Sequence, residues 1–348
     1  MDRFFDDIGR RKKLLDVYGH LQDDLSRKIY KARSLFSLTD DREELRGVIR
    51  EMAAGQAVLQ AVSEHAGEPL VLFGAGTWGK AIRQFFDDVP WRCFVDNYKA
   101  GTAVAGLPVI SVAELREMEK TPYVVNTLRF LYAEVEQQLQ DVGIPKERVL
   151  ARGRMTEEAS YFDLPELYHE EHEAFADVGA YDGGSSLAFA RWAKKYDHIY
   201  VFEPMKELQE KCHQRLADVK DWTLYPYGLW RENGTRTFTL AGENSNCSAE
   251  TNESGEGDSI EVVKMDDVLT GKRVTYIKMD IEGSELAALQ GAAEIIRMQH
   301  PKLAISVYHC RDDIWEIPKL LLSYHPGYRF YLRVYAFTGN DTVLYALP

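Results

Sequence analysis

The sequence predicts an α/β protein with two successive, mostly parallel sheets and a helical segment ahead of them. Three observations carry this. An apolar run opens on a glycine turn twice, in PLVLFGAGTWGKAIRQFF from Pro69 and in AFADVGAYDGGSS from Ala174. After each, strand-like and helix-like segments alternate, the mark of a parallel sheet covered on its faces. The chain then ends on YRFYLRVYAF and DTVLYALP, two apolar runs separated by Gly339-Asn340-Asp341, a turn composition that joins antiparallel strands.

The elements follow in order. Leu14, Leu21, Leu25 and Ile29 recur at helical spacing, and Asp40 or Asp41 can cap a second helical run through Leu45, Ile49, Met52 and Leu59. Residues 1–67 are therefore expected to form a helical segment whose apolar stripes pack, as a cap or as a hairpin through which the chain forms homo-oligomers. Residues 68–150 read as a small Rossmann-like domain with three clear strands, PLVLF, RCFVDN and YVVN, and a helix from about Tyr132 to Gly143. Residues 151–348 hold the longer series. Strands are expected at AFADV, HIYVFEP, WTLYPYG, VTYIKMD and LAISVYH, with helices after the first, second, fourth and fifth. Between the third and fourth, a glycine- and serine-rich stretch flanked by alternating segments reads as a hairpin arm. A mostly parallel sheet that ends in a hairpin is the outline of the class I methyltransferase fold.

Composition narrows the function. The 348 residues are 45% apolar and 28% charged, which is ordinary globular composition. The formal net charge of −13 repels phosphate backbones and anionic lipid, which argues against nucleic acid and membrane surfaces as partners. No uncharged apolar stretch has the length of a membrane span and the start lacks an apolar signal core, so a cytoplasmic location is expected. Cys93, Cys212, Cys247 and Cys310 are scattered without a Cys-x-x-Cys pair and suggest neither a zinc site nor a disulfide framework.

The second glycine turn carries the richer constellation. Gly179 and Gly183 let the backbone approach a ligand, and Asp177 stands at the end of the preceding strand. The next strand ends in VFEP, which puts Glu203 where a carboxylate accepts ribose hydroxyls; together these favour an adenosine-containing ligand. YIKMDIEGSE supplies Lys278 and Asp280 on one face of a strand, with Glu282 and Glu285 around Gly283, where the acids suit a helix amino end.

In this order and spacing, DVGAYDG, FEP, IKMDIEGSE and a strand ending in His309 resemble the FkbM family of S-adenosylmethionine-dependent methyltransferases, over roughly residues 174 to 310. The resemblance implies a Rossmann-like fold and O-methylation of sugar or polyketide-derived hydroxyls. It implies S-adenosylmethionine as cofactor, held by Asp177, Gly179, Ala180, Tyr181, Asp182, Gly183, Glu203, Pro204 and Asp280. Tyr181 departs from the small polar residue many members carry.

Methyl transfer from a sulfonium is an in-line displacement for which positioning and a modest base suffice. His309 is the expected base, with Asp280 orienting cofactor or acceptor and Lys278 beside it. Asp280 and Glu282 are hard ligands that suit a divalent ion, but two acids do not define a metal site. Asn244, Asn246 and Ser248 of the arm, with Glu282, are expected at a sugar-type acceptor, and Tyr225, Tyr227 and Trp230 near adenine or a sugar face. GAGTWG offers a second, nucleotide-type turn at Gly74, Gly76 and Gly79, and Asp96 follows Gly76 by 20 residues. This leaves a nicotinamide oxidoreductase or nucleotide-sugar epimerase, or a non-catalytic sugar-nucleotide binding protein, as the competing functions, although no Tyr-x-x-x-Lys pair is present.

Overall fold

A computed structural model describes residues 8–128, 132–150, 160–238 and 258–348. Its contacts divide the chain into two compact units, Arg42–Met155 with Val334–Asn340, and Met1–Asp41 with Thr156–Arg333 and Asp341–Pro348.

The smaller unit holds β1 (Leu70–Phe73), β2 (Trp91–Val95), β3 (Ala103–Val104), β4 (Leu107–Ile110), β5 (Tyr123–Asn126) and β6 (Val149–Leu150) in the order β3-β4-β2-β1-β5-β6. All pairs are parallel except β3 with β4. Three strands were expected and six form, because β3 and β6 are two residues long and Pro108 interrupts β4, so no periodicity marks them. Every residue of β1 is buried, as an apolar run between two helical layers requires. Arg46 and Arg50, both on the helix Arg46–Glu51, reach Asp87 and Asp88 at 2.8 and 2.7 Å. Both also donate to the carbonyl of Phe85, the last residue of the helix Thr77–Phe85, where cations suit the free carbonyls.

The larger unit holds β7 (Glu173–Val178), β8 (Tyr196–Phe202), β9 (Trp222–Tyr225), β10 (Gly228–Leu229), β11 (Gly234–Phe238), β12 (Asp258–Val263), β13 (Tyr276–Met279), β14 (Lys302–Ser306), β15 (Arg329–Val334) and β16 (Thr342–Leu347). Seven of them form one sheet in the order β15-β16-β14-β13-β7-β8-β9. The strands from β14 through β9 pair in parallel and β16 runs antiparallel to β14. This is a mixed, mostly parallel sheet of the class I methyltransferase type. Its connections reverse direction between β7 and β13, so a crevice opens at the carboxyl ends of those two strands. The expected hairpin arm forms as β11 antiparallel to β12, with β10 added parallel to β12.

The sequence reading drew one helical segment over 1–67, whereas contacts group the helices Ile8–His20 and Asp24–Thr39 with the larger unit. Leu21 bridges Phe330, and Asp23 does two jobs there: it accepts the amide of Ser26 as a helix cap and meets Arg333 at 2.8 Å. Asp23→Ala should lower stability by about 1 to 2 kcal/mol in urea unfolding, the usual effect of a lost cap. Burial works against the charge of Asp23, but Arg333 and Ser26 outweigh it and hold the carboxyl below its ordinary range. Its contribution is therefore present above about pH 4 and is lost as pH falls through the depressed value. An unchanged acid limb in the variant would contradict this account.

Candidate functional site

At the carboxyl edge of β7 the chain turns through Gly179 (φ 76°), Tyr181 (φ 55°) and Gly183 (φ 85°) into the helix Gly184–Ala193. A Cβ on Gly179 would lie 2.0 Å from the carbonyl oxygen of Asp280, so only glycine fits. Asp177 is buried and turned inward: its Oδ2 accepts the hydroxyls of Ser185 and Ser186 at 2.6 Å each, and Lys278 Nζ is 3.3 Å from its Oδ1. Lys278 is buried as well and donates to the carbonyl of Gly179 at 2.6 Å. Both residues hold the turn from beneath. Asp182 accepts the amide of Gly184 and pairs with Arg215 at 2.7 Å, Ala180 donates to the carbonyl of Phe202, and Tyr181 is exposed.

Glu203 follows β8 and is 4% exposed. Its two oxygens accept the amides of Tyr181 and Met205 at 3.0 and 2.9 Å, so it ties the glycine turn to the end of β8. Burial raises its pKa, while those amides work the other way. Carbonyls of Glu203 and Pro204 accept from Gln209, which fixes this corner.

The third cluster lies at the ends of β13 and β14. His309 is 5% exposed at its side chain; its Nδ1 is 2.9 Å from Glu285 Oε1, and its Nε2 is 3.5 Å from both Asp280 Oδ1 and Glu282 Oε2. Burial alone would depress the imidazole, but the three carboxylates, Glu285 foremost, push it up to about 10. The expected base thus stands among three carboxylates that favour its charged form. For Asp280 burial again opposes the charge, and His309 and Lys278 overcome it to hold the carboxyl below its usual range. Its Oδ2 accepts the Tyr161 hydroxyl at 2.7 Å. Asp313, 4% exposed, is pushed up to about 7 by burial and by the charge of Glu285.

The structure therefore brings Asp280, Glu282 and His309 together, and gathers Asp177 and Lys278 under the turn. Tyr225 stacks on Phe202 and Trp230 packs with Ile260 and Val262, while Tyr227 stands half-buried between β9 and β10. Asn244, Asn246 and Ser248 lie outside the described residues. Sequence reasoning missed Tyr161, which comes from a distant segment that gives no local signal. It also missed Ser185 and Ser186, which their place directly after the glycine turn could have disclosed. Cys93 and Cys212 are free and buried, and Cys247 lies outside the described residues.

In the smaller unit Asp96 is occupied by its own turn. It accepts the amides of Ala75, Tyr98 and Lys99, and Lys99 Nζ donates to the carbonyl of Ala75. A Cβ on Gly79 would lie 2.0 Å from the Gly74 carbonyl oxygen, so that glycine serves helix–strand packing, while Gly76 has open space beside it. Among the described residues no helix is long and apolar enough to cross a membrane.

Comparison with known proteins gives the following. The family model described as Methyltransferase FkbM domain matches residues 177–338. No curated protein matches. Among solved structures, a methyltransferase FkbM from Methylobacillus flagellatus KT is 21% identical, with 93% of this chain and 99% of that chain covered and a TM-score of 0.49. The fibrillarin of Aeropyrum pernix, with natively bound S-adenosyl-L-methionine, is 10% identical over 55% of this chain and 73% of its own, at a TM-score of 0.34. An rRNA methylase from Streptococcus thermophilus is 14% identical over 51% and 87%, at 0.31.

Proposed function

We propose, for a chain that carries a methyltransferase FkbM domain over residues 177–338 and is an S-adenosylmethionine-dependent methyltransferase, that it O-methylates a hydroxyl of a sugar, nucleotide sugar or related glycan or natural-product precursor. The methyl donor lies across the carboxyl ends of β7 and β8. The Gly179–Gly183 turn makes room for it, and Glu203 accepts from its ribose. The observation that carries this reading is the Glu203 carboxylate, nearly buried and hydrogen-bonded to the amide of Tyr181 in the turn and to that of Met205 just beyond β8, so that it is fixed before any ligand arrives.

The acceptor lies beside Asp280 and Glu282. The lining there is polar: two carboxylates, the Tyr161 hydroxyl on Asp280, and the Tyr308 hydroxyl 3.5 Å from Asp280 Oδ1. Such groups suit a ligand that carries several hydroxyls, and the arm residues Asn244, Asn246 and Ser248 are proposed to complete the contact. In the reaction the acceptor oxygen attacks the methyl carbon, the sulfonium C–S bond breaks to leave S-adenosylhomocysteine, and the hydroxyl proton passes to the solvent-exposed Glu282 carboxylate while Asp280 orients the acceptor. His309 holds those carboxylates in place and is a positioning residue.

Glu203→Ala tests the cofactor half of the proposal. Loss of charge-assisted hydrogen bonds should weaken S-adenosylhomocysteine binding by about 1.5 to 3 kcal/mol, roughly 10- to 100-fold, in calorimetry. Native affinity in a folded variant would remove Glu203 from the site. For the acceptor, transfer of labelled methyl to a panel of nucleotide sugars should give an alkali-stable ether, and its absence across hydroxylated acceptors would reject the substrate class.

A further inference from the structure

We propose that the glycine turn of the smaller unit, from Gly74 to Gly79, binds the diphosphate of a nucleotide at the carboxyl ends of β1 and β5, through the amino end of the helix Thr77–Phe85 and the side chain of Asn126. This site is independent of the methyl-transfer chemistry. In the order β3-β4-β2-β1-β5-β6 the chain runs outward from β1 to β2 and β4 and then returns to β5 on the other side of β1, so a crevice opens beyond the ends of β1 and β5. A strand, a glycine turn and the amino end of a helix meet there, the arrangement that holds a pyrophosphate in dinucleotide folds. Packing accounts for two of the three glycines. Gly74 has φ 104° and lies against Thr127 and Leu128, and a Cβ on Gly79 would strike the Gly74 carbonyl oxygen. Gly76 is different: its φ of −83° and ψ of −165° suit any residue, and a Cβ there would meet nothing within 4 Å among the described residues. Neither conformation nor packing requires glycine at that position, whereas a phosphate drawn close to the turn does.

The independent observation is Asn126. It ends β5 in register with Phe73, the residue before Gly74, and the Thr127 hydroxyl donates to the carbonyls of Phe73 and Gly74, which ties the end of β5 to the turn. Asn126 is 4% exposed. Its Oδ1 accepts the amide of Leu128, two residues on, so the side-chain amide is folded past the end of the strand toward the crevice. Its Nδ2 is buried and has no hydrogen-bond partner among the described residues. A buried donor left so is costly. An amide nitrogen can only donate, so what satisfies it is an acceptor, and beside a helix amino end the acceptor that fits is a phosphate oxygen. Asp96, the acid that the dinucleotide pattern would give to a ribose, is spent on the amides of Ala75, Tyr98 and Lys99, so recognition falls on the phosphates. Lys99 Nζ, 2.9 Å from the Ala75 carbonyl oxygen, brings a positive charge to the turn that offsets the charge of Asp96.

The test uses the full chain, titrated by calorimetry with UDP-glucose and with NAD, which share the diphosphate and differ in what it joins. Saturable binding of at least one of them at submillimolar concentration is expected, and the one that binds identifies the source of the diphosphate. Gly76→Val puts a side chain into the space that the phosphate would take, and Asn126→Asp keeps the acceptor to Leu128 while it replaces the orphaned donor by a second acceptor. Each should weaken binding about 10-fold or more, the loss of a charge-assisted hydrogen bond. Position 76 has room for a side chain, so Gly76→Val will fold even where Asn126→Asp does not. S-adenosylhomocysteine affinity, measured on the same Gly76→Val protein, should stay at the native value. No binding of either nucleotide at millimolar concentration, binding indifferent to Gly76→Val, or an equal loss of S-adenosylhomocysteine affinity in that variant overturns the site.

Discussion

Gly179→Ala should abolish measurable cofactor binding, with S-adenosylhomocysteine affinity down by more than about 100-fold, and should cost about 3 kcal/mol or more of stability. The reason is a contact that cannot relax cheaply. The added Cβ would stand 2.0 Å from the Asp280 carbonyl oxygen, a backbone atom, and the residue sits at φ 76° where an L side chain is already strained. Relief requires the turn to move off the end of β13. That movement would break the bonds from Lys278 to the Gly179 carbonyl and from the Gly179 amide to Phe202, and would shift Asp280 itself. Two controls grade the effect. Gly183 also has positive φ, but its Cβ would meet the Leu216 side chain at 3.2 Å and the Cys212 Cα at 3.3 Å, a milder conflict. Gly76, in the other glycine turn, has nothing within 4 Å, so Gly76→Ala should be close to neutral. Calorimetry with S-adenosylhomocysteine and urea unfolding check the order Gly179, Gly183, Gly76; native affinity in Gly179→Ala would refute the assignment of this turn to the cofactor.

That contrast also shows which parts of the site the sequence discloses. Glycine spacing, the acid at the end of the next strand, and the placement of Asp280 and His309 at one edge are local facts, and local periodicity reports them. The state of His309 is not local. Glu285 reads from sequence as a helix-end acid, yet its carboxylate turns back onto the imidazole across 24 residues and decides the charge of the ring. Tyr161, 119 residues from Asp280, is held by the Tyr276 hydroxyl bonded to its carbonyl, and no pattern near position 161 announces this. The same limit applies to the fold. Long strands such as β7 and β8 are legible, whereas the two-residue strands β3 and β6 exist only because a neighbour supplies their hydrogen bonds. The grouping of the first two helices with the larger unit rests on tertiary bonds at Phe330 and Arg333.

The opposite edge of the same sheet should respond in the opposite way. Lys302 and Glu173 open β14 and β7, and their side chains, 1% and 0% exposed, form a buried ion pair. Around them the Thr275 hydroxyl and the Glu170 amide also donate to Glu173, and Lys302 Nζ lies 4.7 Å over the Tyr168 ring. Lys302→Met strands a carboxylate that water cannot reach, and should cost about 3 to 5 kcal/mol in urea unfolding. Removing both charges in Lys302→Met with Glu173→Met should lose clearly less than the sum of the two single losses, with a coupling of about 2 kcal/mol or more, because neither ion is then left alone. Because the pair sits at the amino ends of strands whose carboxyl ends carry Asp177, Asp280 and Glu203, cofactor affinity of the folded variants should stay at the native value. Strictly additive losses would mean that the two charges are solvated independently. A fall in S-adenosylhomocysteine affinity in the still-folded Lys302→Met protein would mean that the two edges of the sheet are coupled, whereas stability loss at unchanged affinity separates the edge that holds the fold from the edge that holds the chemistry.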